Sequence, residues 1–136
     1  MGYKLSHAAW PACLKDRSEV SGVYVGGCII GHDARFWRTE DNKHVALAHS
    51  HIKGKHTGWI CVPYKTRLRS KELMLHELAH LIVGRKGHGK MWRKTVKEVG
   101  GTLKSYQLVG STLSAKCRLN FIQKLLDLLF REKGVS

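Results

Sequence analysis

Long apolar runs are missing from this chain. None approaches the ~18 residues that a membrane-crossing helix needs, so no membrane partner is expected. The opening residues lack the basic-then-apolar layout of a secretory signal, which predicts a cytoplasmic protein. Paired cysteines are missing too. Cys13, Cys28, Cys61 and Cys117 contain no C-x-x-C, which excludes a zinc ribbon or a dithiol redox motif and leaves four thiols, most simply buried. Proline is scarce, with two in 136 residues, and there is no repeat, low-complexity tract or linker, so residues 1–136 read as one domain. Acidic residues are few: 10 Asp and Glu face 24 Lys and Arg, a net charge of +14. That imbalance favours polyanionic partners, nucleic acid ahead of an anionic surface.

What is present is enough apolar residue for a core, 43% of the chain, and nine histidines, an excess that calls for a search for ligand geometry. Val23-Tyr24-Val25 and Cys28-Ile29-Ile30 are β-branched and aromatic and are broken by Gly26-Gly27, a bulged strand or a hairpin. Val45 to Ile52 reads as a second extended segment with Val45, Leu47, His49 and His51 on one face. After a polar turn, Trp59 to Val62 is a short strand ended by Pro63.

From Ser70 the period changes. Ser70 is a natural N-cap, Glu72 suits the positive end of a helix dipole, and Leu73, Met74, Leu78, Leu81 and Ile82 recur at helical spacing. Gly84 can close this helix. A second helix is predicted over 90–99, with Met91, Trp92, Val96 and Val99 near one side, and a third over 114–131 with a wide apolar stripe that packs on the domain or dimerises. Strands followed by helices read as α+β with a small antiparallel sheet.

His76-Glu77-Leu78-Ala79-His80 is H-E-x-x-H. Residues four apart on a helix lie about 40° apart around the axis and about 6 Å along it, so both imidazoles project from one face and can reach one zinc. Glu77 sits about 100° round from His76, beside a metal-activated water rather than on the metal, where it can act as general base. A catalytic zinc takes a third protein ligand and keeps one position open. His88, carried back by a turn through Gly84, Gly87 and Gly89, is the favoured third ligand, with Glu98 on the next helix as its competitor.

Met74 to His80, then Gly87-His88-Gly89 and Trp92, resemble the active-site core of SprT-like zinc metallopeptidases, and the layout is similar to that of WLM peptidases. Ala48-His49-Ser50-His51 and Gly58-Trp59-Ile60-Cys61 resemble the upstream strands of short SprT-like proteins of bacteria and phages. The resemblance covers about residues 46–101. It implies a minimal zincin-like fold, one catalytic Zn2+ on His76, His80 and His88, Glu77 as base, and substrates among DNA-associated proteins. A phage member would work in the host-cell cytoplasm. Larger relatives carry a zinc ribbon that these four cysteines do not supply. In zincins the strand before the metal helix pairs with an extended peptide, which gives Trp59, Ile60 and Cys61 a candidate substrate-binding role; the plainer alternative is a buried core strand, and both can hold for different edges.

Other features are less specific. His49 and His51 line the cleft, hold a second metal, or are polar residues of a half-exposed strand. Tyr106 is a candidate oxyanion donor, with a core or surface tyrosine the plainer alternative. Between Lys53 and Lys104 stand 13 Lys and Arg against three acidic residues. Arg85, Lys86, Lys90, Arg93, Lys94 and Lys97 follow the metal helix closely, as a basic rim for phosphate backbone or as a solvated cationic face. The reading that emerges is a monomeric, single-domain zinc endopeptidase acting on a protein substrate, with DNA as a candidate binding partner through a basic surface. The competing readings are a basic nucleic-acid-binding module with structural or no zinc, and a metal-dependent hydrolase of non-peptide bonds.

Overall fold

Two stretches rich in β-branched and aromatic residues form the centre of the sheet. In the computed structural model, which describes residues 2–31, 37, 47–85, 87–102 and 111–112, they are β2 (Gly22–Val25) and β4 (Trp59–Val62). They are preceded by β1 (Tyr3–Lys4), a 3-10 turn and the one-turn helix α1 (Ala12–Lys15). Between them lies β3 (His49–Ser50), and β5 (Ser111–Thr112) comes last. The order across the sheet is β1-β2-β4-β3-β5.

The sheet is mixed, which corrects the expected antiparallel one. β1–β2 and β3–β4 are antiparallel, whereas β2–β4 and β3–β5 run parallel. The parallel β2–β4 pair spans its full length, from Gly22 opposite Trp59 to Val25 opposite Val62. Such pairing requires a long crossover and leaves no local turn signature, so hydropathy patterning does not reveal it. At one end of the pair the Trp59 ring lies across Gly22, where any side chain would collide with it.

The described elements, a small sheet with helices packed on it, are compatible with the expected α+β class, although α1 precedes β2 and β5 follows the last described helix, so strands and helices are not cleanly separated along the chain. α2 (Lys71–Val83) starts at Ser70, whose hydroxyl accepts from the Leu73 amide at 3.2 Å, a cap worth about 1 kcal/mol. It stops at Gly84, which takes the left-handed conformation (φ 74°) and donates its amide to the His80 carbonyl at 2.8 Å. α3 (Lys90–Glu98) packs back on α2 through Trp92 and Val96, which meet Ala79 and Val83. Met91, expected on the packed side, is instead 62% exposed. Among the described residues no helix is long and apolar enough to cross a membrane. The proposed helix over 114–131, together with Tyr106, Lys86 and Val45, lies outside the described residues.

The sheet divides the interior into two. Alternation along β2 and β4 sends Val23, Val25, Ile60 and Val62 toward α2, where they meet Leu73, Met74, Leu75 and Leu78. Cys61 points the other way and packs with Cys28 and Trp37. α2 is buried without interruption from Leu73 to His80. A helix covered all round holds its side chains in fixed rotamers, which suits a scaffold for ligands.

Candidate metal centre

The pentad lies where its spacing predicts, on the fully buried half of α2. His76 and His80 are 0% exposed, and His88 comes back from the α2–α3 turn to meet them. The three Nε2 atoms form a close triangle: His76–His80 3.3 Å, His80–His88 3.1 Å and His76–His88 3.1 Å. A zinc at about 2.0–2.1 Å from tetrahedral nitrogens sets N···N edges of about 3.3 Å, so the triangle has the size of one face of a coordination tetrahedron.

Protons support the same fit. His80 Nδ1 lies 2.9 Å from the Arg85 carbonyl, which can only accept, so Nδ1 carries the hydrogen. In the neutral ring Nε2 then presents a lone pair to the two other imidazoles. That lone pair can be met by a metal ion or by an N–H of a neighbouring ring, and the Arg85 carbonyl is the outer partner that metal-bound histidines usually have. Of the three glycines proposed to turn the chain here, only Gly84 has a positive φ; Gly87 and Gly89 do not. The reversal is made at the helix end, and His88 follows from it.

Trp92 forms the back wall. Its ring centroid lies 5.0 Å from His76, 5.7 Å from His80 and 4.7 Å from His88, and its indole N–H donates to the His76 carbonyl at 3.3 Å. One buried side chain therefore braces all three imidazoles. Trp92→Ala should cost about 3–5 kcal/mol of stability, read from denaturant unfolding, and should weaken zinc binding even though no ligand is removed. Trp92→Phe keeps most of the packing and should lose much less of both.

Glu77 is fully buried, and one carboxylate oxygen accepts from the Ser50 hydroxyl at 3.1 Å. Ser50 was not among the residues singled out from the sequence. Its signal was available: it alternates with His49 and His51, so if those two share one face, Ser50 must occupy the other. Glu98, the competing ligand, is exposed on α3, with Lys94 at 3.9 Å across one helical turn, and is not part of the imidazole cluster. Arg85, Lys90, Arg93, Lys94 and Lys97 are all exposed. Beside the His88 turn a groove of about 390 Å³ is lined by Val83, Arg85, Met91 and Trp92 among others.

The strand residues proposed to bind substrate are placed otherwise. β4 is flanked by β2 on one side and β3 on the other, so both of its backbone edges are taken. An extended peptide finds no free edge at Trp59, Ile60 and Cys61, and the pairing role expected for them does not hold. Ile60 is core and Trp59 is half-buried. His49 and His51 are buried at 3% and 1% exposure, on the face of the sheet away from α2, together with Cys28 and Cys61. Burial, and then a hydrogen bond with Cys28, push the Cys61 thiol well above its ordinary range.

No family model, no curated protein and no solved structure matches the chain.

Proposed function

We propose that the protein is a zinc-dependent endopeptidase whose centre is His76, His80 and His88 with Glu77 as general base. The observation that carries this reading is the triangle of Nε2 atoms 3.1–3.3 Å apart with a buried carboxylate next along the same helix. Three imidazoles occupy three corners of a tetrahedron and leave one free, the pattern of catalytic rather than structural zinc. Bound there, zinc would supply Lewis acidity, lowering the pKa of a water and polarising a substrate carbonyl.

The chain's own groups do the rest. The Glu77 carboxylate takes a proton from the attacking water as its oxygen bonds to the carbonyl carbon. As the C–N bond breaks, Glu77 returns that proton to the departing amine nitrogen. Ser50 holds one Glu77 oxygen in place, so the carboxylate meets the water in a fixed orientation. His88 is the one partly exposed ligand, on a turn whose neighbours Arg85 and Lys90 are exposed, which makes that side the natural approach for a substrate. The resemblance to SprT-like metallopeptidases assigns the substrates to DNA-associated proteins, and the positive surface on that side agrees with it.

Incubation with an unfolded protein such as casein tests this reading. Hydrolysis should fall to background after chelation and return when zinc is added, with circular dichroism recorded throughout to follow the fold. Hydrolysis that persists in metal-free protein, or no hydrolysis with the three-histidine site fully loaded, would overturn it.

A further inference from the structure

On the opposite face of the sheet, Cys28, His49, His51 and Cys61 bring one ligand atom each to within 4.8 Å of all the others. All four are buried, at 2%, 3%, 1% and 0% exposure. His51 Nε2 lies 3.6 Å from Cys28 Sγ and 3.4 Å from Cys61 Sγ. With Zn–S near 2.3 Å and Zn–N near 2.0–2.1 Å, a tetrahedral site sets S···N edges of about 3.5 Å. We infer that Cys28, His49, His51 and Cys61 form a second metal site, a closed structural zinc centre of two sulfurs and two imidazole nitrogens.

Charge separates this cluster from the first. Two thiolates and two neutral imidazoles around Zn2+ sum to zero, so the filled site can sit in a dry interior without an uncompensated charge. Three neutral imidazoles leave the full double charge of the ion, which calls for a nearby anion or solvent. The first centre accordingly has the Glu77 carboxylate next along its helix and a partly exposed ligand in His88, whereas all four ligands of the second are buried. Four protein ligands fill the tetrahedron, leaving no position for a substrate.

The position suggests what such a site would do. Its ligands come from the chain just after β2, from β3 and the residue following it, and from β4. In the sheet His49 lies directly opposite Cys61. β3 has two residues, and a strand that short contributes little pairing of its own. A metal bound at these four positions ties three separate chain segments together, as zinc commonly does in small domains whose cores are thin. The Trp37 ring, 4.0 Å from that of His49, covers the cluster, and His56 packs against His51 at its rim with 6.2 Å between ring centroids.

The inference does not rest on the protease reading, and the test keeps the two apart. Full-length protein prepared with zinc should contain two equivalents. A variant carrying His76→Ala, His80→Ala and His88→Ala should keep one, and after exchange into cobalt it should show thiolate-to-metal charge-transfer absorption. A Cys28→Ser, Cys61→Ser variant should lose one equivalent, lose that absorption and melt at lower temperature. If the serine variant does not fold, the wild-type and triple-histidine proteins still decide the matter. Absence of bound metal in the folded triple-histidine variant, or a cobalt spectrum without thiolate bands, would overturn the proposal. A stoichiometric metal other than zinc at the cluster would overturn its assignment to zinc.

Discussion

Glu77→Gln should keep its zinc and its fold and lose peptide hydrolysis by at least about 10²–10⁴-fold, the usual worth of a positioned general base. The substitution is nearly isosteric. A glutamine carbonyl can still accept from the Ser50 hydroxyl, so the hydrogen bond to β3 survives. What disappears is the ability to take up a proton and give it back. Because Glu77 is fully buried, replacement by alanine would also leave a cavity and strand the Ser50 hydroxyl, confusing loss of chemistry with loss of structure. Metal analysis beside turnover on one protein substrate checks the result. Unchanged turnover would remove Glu77 from the mechanism.

His88→Ala should reduce zinc affinity at the first centre by more than the ~10–100-fold that loss of an outer-shell partner costs, because a ligand itself is removed. His76 and His80 remain fixed by the covered helix, so the fold should change little. His88 stands on the turn and is only partly buried, which makes its loss cheaper to the core than that of either helical histidine. Competition against a chromophoric chelator measures the affinity. Retention of full affinity would mean that another group completes the site, and Glu98 would be the first to test.

How much of this was legible in the sequence depended on distance along the chain. The metal helix could be read because its signals are local: a serine cap, apolar residues at helical spacing, a closing glycine, and two histidines four apart. The strand at Trp59 to Val62 was read with the bounds it has, since proline ends it. The parallel pairing of β2 with β4 was not legible. It joins residues more than thirty positions apart, and neither strand carries a mark of its partner's direction. Simple alternation puts His49 and His51 on one face, as the structure has them, whereas the cysteines carry no such mark because no pair of them has a familiar spacing. The missing step was the short hairpin that sets His49 opposite Cys61. Taking the strands together, rather than each in turn, would have brought sulfur and imidazole into one cluster.

The three residues His49, Ser50 and His51 act as a partition wall with fittings on both sides. Ser50 reaches toward Glu77, while the histidines beside it turn to the cysteines. Sliding this stretch by one position would swap its two faces, taking the hydroxyl from the carboxylate and the imidazoles from the thiols together. The imidazole–carboxylate site and the cysteine–histidine cluster therefore share a single alignment, and a one-residue insertion or deletion within this stretch should disturb both at once.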